Sequence, residues 1–104
     1  MGLSGGAYDD TIGKSYVSGS ITVGTTQVQA KAGASNLAGR QEMLIFNDGA
    51  KTIYFGPSGV TASGATKGIP IENGETISLP FTDSINVFLI TAAATSEVII
   101  QELA

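Results

Sequence analysis

No cysteine, no histidine and no tryptophan occurs among the 104 residues. Lack of cysteine excludes a disulfide frame, a thiolate zinc site and a thiol nucleophile. Lack of histidine removes the commonest general base, the Ser-His nucleophile pairs and the usual transition-metal ligand. Without tryptophan, a sugar site loses its usual stacking platform and would have to lean on Tyr8, Tyr16 and Tyr54; of these, Tyr54 is expected to border the core with its hydroxyl at the rim. Charge is scarce as well. Only 13% of residues are charged, about half the usual share of about 25%, so uncharged surface is left over for contact with protein. One arginine and four lysines in a chain of net charge −4 cannot neutralise a useful run of phosphates, which argues against a nucleic-acid partner. No apolar run is longer than Val87 to Ile90, far short of the roughly 20 residues a membrane span needs. The opening MGLSGGAYDD has neither the basic region nor the apolar stretch of a secretory signal, and Gly6 stands where a myristoylation motif wants Ser or Thr. The expectation is a soluble product made in the cytosol, with no membrane partner.

Carboxylates remain as a route to chemistry. Asp9 and Asp10 are adjacent on a glycine-rich stretch, a poor place to hold catalytic geometry. Asp48 and Asp83 fall at turns, where Asp accepts local backbone hydrogen bonds. Glu72 and Glu75 flank Asn73-Gly74 and are expected to form a solvated cross-strand pair. A glycosidase needs two acids facing across a cleft, which no spacing here displays. The spacing of a calcium-binding EF-hand is absent, and the glycine-framed stretch Gly33 to Gly39 runs into Arg40-Gln41 where a phosphate loop requires Lys-Ser/Thr. No catalytic residue, metal site or cofactor is therefore assigned.

What is present is a background of strands and turns: 14 glycines, many Ser and Thr, few Leu and Lys. The central stretch is Arg40 to Phe55, RQEMLIFNDGAKTIYF, in which two apolar alternating runs flank Asp48-Gly49. That dipeptide predicts a type I′ hairpin, with Leu44 facing Ile53 and Met43 facing Tyr54. Leu44, Phe46, Ile53 and Phe55 would then share one face, and Met43, Ile45, Thr52 and Tyr54 the other. Before it, SYVSGSITV alternates as a half-buried strand, with Gly19 a candidate bulge. Val28 and Ala30 can point inward, and Gly33 to Arg40 reads as a loop. After it, Gly56-Pro57-Ser58-Gly59 reads as a turn, Val60 as a candidate start of a short edge strand, and Ala62 to Gly68 as a surface loop. Pro70 suits an edge strand, Asn73-Gly74 a second tight turn, and Pro80 a strand end. SINVFLIT, from Ser84 to Thr91, predicts a strand apolar on both faces, with Ile85, Val87 and Leu89 opposed to Phe88 and Ile90. Such a strand lies either at the centre of the monomer's own layers or between its core and a subunit interface, and in the second case Phe88 and Ile90 are candidates for an oligomer interface. The chain finishes with SEVIIQEL. About eight strands and no amphipathic helical period predict an all-β fold, an antiparallel β-sandwich that is jelly-roll-like or Ig-like.

Two regions follow. Residues 15–104 form the sandwich domain, and residues 1–14 a glycine-rich N-terminal segment with little to bury, read either as a disordered tail or as a flexible arm that orders on a neighbouring subunit. As such an arm, Leu3, Tyr8, Asp9, Asp10 and Ile12 are the candidate contacts to a neighbouring subunit, the apolar side chains as anchors and the two acids toward basic groups.

From Val23 to Ala104 the chain resembles a recurrent type of small bacteriophage virion protein. The resemblance rests on VGTTQVQA, on AGR at Ala38 to Arg40 before an apolar strand, on IFNDGAKTIYFGPSGVT, on GIPIENGETISLPF and on a closing SEVIIQELA. It is a resemblance of strands and turns, without a catalytic motif. It implies a β-sandwich module of the kind phages use as head-decoration (cement) proteins, head-fibre bases and tail components. The implied role is a non-enzymatic subunit of the virion that binds the major capsid protein or another virion protein, as a homo-oligomer, often a trimer. The alternative expectation is a tail- or fibre-associated module that binds host-surface glycan.

Overall fold

The computed structural model describes residues 15–104. In chain order its strands are β1 (Tyr16–Val23), β2 (Val28–Gln29), β3 (Glu42–Asn47), β4 (Ile53–Gly56), β5 (Ile69–Ile71), β6 (Thr76–Leu79), β7 (Phe88–Thr91) and β8 (Ser96–Leu103). They make two four-stranded antiparallel sheets, with orders β1-β8-β3-β6 and β2-β7-β4-β5. First pairs with last, second with seventh, third with sixth and fourth with fifth, so the chain is one long hairpin rolled into two layers. That order is a jelly roll and not an Ig-like arrangement, whose sheets run ABED and CFG.

Period-two alternation explains the two layers. In β3, Met43, Ile45 and Asn47 are fully buried while Glu42, Leu44 and Phe46 are half-exposed. In β8 the inward set is Ser96, Val98, Ile100 and Glu102. Ile53, Ile71 and Leu89 come inward from the other sheet, with Phe55 and Val28 packed against them. Each of these aliphatic side chains contributes about 1.5–3 kcal/mol through burial. Val60 is buried too, sealing one end where Gly56 and Gly68 leave room for its methyl groups.

The rolled topology overturns the predicted hairpin. β3 and β4 lie in different sheets, and β3 is already flanked by β8 and β6, so Leu44 opposes Ser78 and Gln101, not Ile53. The two shared faces fail with it: Met43 and Ile45 enter the core together with Ile53 and Phe55. The Asp48–Gly49 segment is a corner crossing the end of the sandwich, and Gly49 does not occupy the positive-φ region. Asn73-Gly74 is a tight turn, closed by Glu75 N–H on Glu72 O at 3.0 Å with Gly74 at φ 84°, but it also bridges the sheets. Glu72 and Glu75 are thus the ends of one turn, where the Glu75 carboxylate accepts from Glu72 N–H at 2.7 Å; they are not a cross-strand pair.

Three smaller expectations change. β1 pairs with β8 without interruption, so Gly19 is not a bulge; a Cβ there would lie 2.1 Å from the Ala32 carbonyl oxygen, and the glycine admits that crossing chain. Regular pairing in SINVFLIT begins only at Phe88; ahead of it Ile85 N–H bonds Thr82 O at 3.1 Å, and the Ile85 carbonyl is taken by a side chain described below. Tyr54 faces outward from its sheet, opposite Ile90 and Pro70, and is not part of the core. The arm residues Leu3, Tyr8, Asp9, Asp10 and Ile12 lie outside the described residues.

Candidate functional site

Apolar alternation along β8 would place an aliphatic residue at 102, and the chain puts Glu102 there, wholly buried. A carboxylate in that position requires partners. The chain's one arginine supplies them: Arg40 Nη1 donates to Glu102 Oε2 at 2.7 Å, and both side chains are shut away from solvent. Arg40 then uses every other N–H it has. Nε donates to Phe81 O at 2.9 Å, Nη1 also to Asn36 Oδ1 at 3.3 Å, and Nη2 to Thr82 O and Ile85 O at 2.7 and 2.6 Å. Glu102 accepts in addition from Ala32 N–H at 3.0 Å and Leu37 N–H at 3.3 Å. Asp83 extends the cluster by accepting from Gly39 N–H at 2.7 Å, and Asn36 donates to Asn86 Oδ1 at 2.8 Å.

At the other end of β3 and β8 stands a second plug. Asn47 is fully buried; its Nδ2 donates to Lys51 O at 2.7 Å and Ile71 O at 2.9 Å. Its Oδ1 accepts from Ser96 Oγ at 2.9 Å and Gly49 N–H at 3.1 Å. The amide has no unused hydrogen-bonding capacity. Asn73 Nδ2 donates to Gly49 O, so the turn of residues 72–75 rests on the corner of residues 48–51. The sandwich is therefore closed at each end by a buried, hydrogen-bonded polar group that ties connecting loops to β3 and β8.

All five N–H groups of Arg40 and both ends of the Asn47 amide are thus engaged within the fold, and Glu102 accepts three bonds there. The other described acids are dispersed. Glu42 and Glu97 accept from Ser78 and Thr22 on one outer face, and Glu72 from Thr52 near the turn. Among the described residues no three acids gather as a metal site would require. An apolar cleft of about 380 Å³ opens between Phe55, Val60, Ile69, Phe81 and Ile85, with Lys67 at its edge.

The outward surfaces carry the remaining apolar side chains. On the β1-β8-β3-β6 sheet, Leu44, Phe46, Ile99 and Leu103 surround Gln101, bordered by Ser18, Ser20 and Ser78. On the opposite sheet, Phe88, Ile90, Tyr54 and Pro70 share one face, with Lys67 Nζ 5.4 Å from the Tyr54 ring centroid. The structure thus brings the candidate interface residues Phe88 and Ile90 together, half-exposed. Tyr16 and Tyr54 lie on opposite outer faces and cannot form one stacking platform.

Sequence reasoning missed both plugs, although one signal was present. Glu102 falls in phase with Val98 and Ile100, and a lone arginine precedes the apolar run that becomes β3. No protein-family model matches the chain, and no curated protein matches it.

Proposed function

We propose that this protein is a non-enzymatic structural subunit of a bacteriophage virion, a decoration (cement) protein that binds the head surface and stabilises the shell. One observation carries the reading: both outer faces of the sandwich present clusters of half-exposed apolar side chains with few charges, as repeated protein–protein contacts require. The resemblance over residues 23–104 supplies the setting, and an eight-stranded jelly roll is compatible with it. The buried charged pair supports the reading in a second way, because its hydrogen bonds are spent on loops and not on a ligand.

In this proposal the major capsid protein is the partner, and Phe88, Ile90 and Tyr54 form the contact between protomers of a trimer. Residues 1–14 reach the capsid or the adjacent protomer. The separation of Tyr16 from Tyr54 speaks against the glycan-binding alternative. The test is to add purified protein to heads that lack it and to follow attachment by electron microscopy and particle melting. Attachment with a raised melting temperature is expected, and weaker attachment by a folded chain lacking residues 1–14. Heads that bind nothing and melt unchanged would remove the proposal.

A further inference from the structure

The four edges of the two sheets are not alike. β6 has four residues and is followed by Pro80, β5 has three with Pro70 in the middle, and β2 has two. β1 runs for eight residues, YVSGSITV, with neither a proline nor a charged side chain, and its ladder to β8 contains no bulge. Shortness, proline, charge and bulges are the usual means by which an edge is kept from pairing with another chain. β1 has none of them.

The ladder also says which groups are left over. Ser15 and Ala104 exchange both of their bonds, each at 2.9 Å. Antiparallel ladders alternate, so Val17, Gly19, Ile21 and Val23 pair with β8, whereas Tyr16, Ser18, Ser20 and Thr22 turn their N–H and C=O groups to the open side. Among the described residues none of these outward groups has a backbone partner.

We propose that β1 pairs antiparallel with β1 of a second copy about a two-fold axis, joining two four-stranded sheets into one. One register matches the whole edge to itself. With Ser18 of one copy opposite Ser20 of the other, and Tyr16 opposite Thr22, every outward group meets an outward group. Gly19 then faces Gly19 across the axis, and Val17 faces Ile21. Val17 is 38% exposed in the single chain, and this pairing covers it with an apolar neighbour. A foreign strand would be selected by charge or by side-chain pockets; this edge has no charge, and small polar and apolar residues alternate along it.

The test compares the full chain with Ser20→Pro by sedimentation equilibrium. The Ser20 N–H lies on the open side, so proline there removes no bond to β8. A double variant, Ser18→Lys with Ser20→Lys, adds charge to the edge and keeps every backbone donor. The wild-type assembly is expected to have twice the mass of either variant, whatever the smaller unit is. Amide hydrogen exchange at Ser18 and Thr22 is expected to be slow in the wild type, and fast at Thr22 in Ser20→Pro and at residue 18 and Thr22 in the lysine variant. Equal masses for the wild type and a folded lysine variant would overturn the proposal. So would fast exchange of these amides in the wild type, or slowing seen only when a foreign protein is added.

Discussion

Arg40 and Glu102 are 62 residues apart in the chain and 2.7 Å apart in the fold, and neither touches solvent. The contact joins the second residue before β3 to the inward face of β8, and through Arg40 it also holds the carbonyls of Phe81, Thr82 and Ile85. Removing one partner of a buried pair leaves the other charge unpaired, at about 3–5 kcal/mol. Arg40→Met is expected to destabilise by that much in urea unfolding. Replacing both residues, as Arg40→Met with Glu102→Leu, is expected to recover only part of the loss, because the carbonyls of Phe81 and Ile85 lose their donor, while Thr82 O keeps Ile85 N–H. Full recovery in the double variant would show that the loops do not depend on the guanidinium.

Asn47 is tested by its isostere. Asn47→Asp keeps the shape but turns two donors into acceptors facing the carbonyls of Lys51 and Ile71. A loss of about 3 kcal/mol or more is expected at neutral pH. Stability within about 0.5 kcal/mol of wild type would mean that the corner repacks without those bonds.

Gly49 and Gly74 separate two reasons for a glycine. A Cβ at Gly49 would stand 2.0 Å from Ser96 Oγ and 2.7 Å from the Glu97 nitrogen, both on β8, whereas Gly74 has open space but φ 84°. Gly49→Asn is expected to cost at least the 1–3 kcal/mol typical of overpacking. Gly74→Asn should be mild, since asparagine visits the left-handed region. Thermal melting of the two variants should therefore differ clearly, with Gly49→Asn the lower; the reverse order would contradict the close packing at the corner.

Ala94 is the one non-glycine with positive φ among the described residues, at 60°. Glycine relieves roughly 1–2 kcal/mol of left-handed strain and returns roughly 0.5–1 kcal/mol in chain entropy. Ala94→Gly is therefore expected to stabilise by about 0.5 kcal/mol in denaturant melts. A loss of stability would place the strain elsewhere.

Much of the sandwich was legible from period and punctuation. Alternation located β1, β3 and β8, Pro70 marked an edge strand, and Pro80 and Asn73-Gly74 marked a strand end and a turn. Partner choice was not legible, because Asp48-Gly49 signals pairing between chain neighbours while a rolled hairpin pairs distant ones. The local signal yielded to Asn47, whose buried amide draws the chain across the end of the sandwich before a two-residue turn can close. The charged plug was hidden for a related reason. Alternation marks position 102 as inward, but no local rule says that Arg40 reaches it, or that the same guanidinium takes the Ile85 carbonyl ahead of Phe88. Phe88 and Ile90 were grouped correctly because side-chain period alone determines that they share a face.

The roll has a kinetic consequence. Among the described strands, β4 and β5 are the only chain neighbours that pair, and the segment between them is cross-tied by Thr61 N–H on Thr66 O at 3.0 Å and Gly68 N–H on Thr61 O at 2.9 Å. Every other ladder must close a longer loop, up to Tyr16 against Leu103, and loop closure is what slows folding in proteins of high contact order. Assembly should begin at this short loop and zip outward, leaving the β1–β8 seam for last. Substitutions at Ile53 or Ile71 would then slow refolding, while those at Ile21 would mainly hasten unfolding. The strand with the most open edge is thus the last to be locked in place, and a newly made chain meets its neighbours while that strand is still unattached.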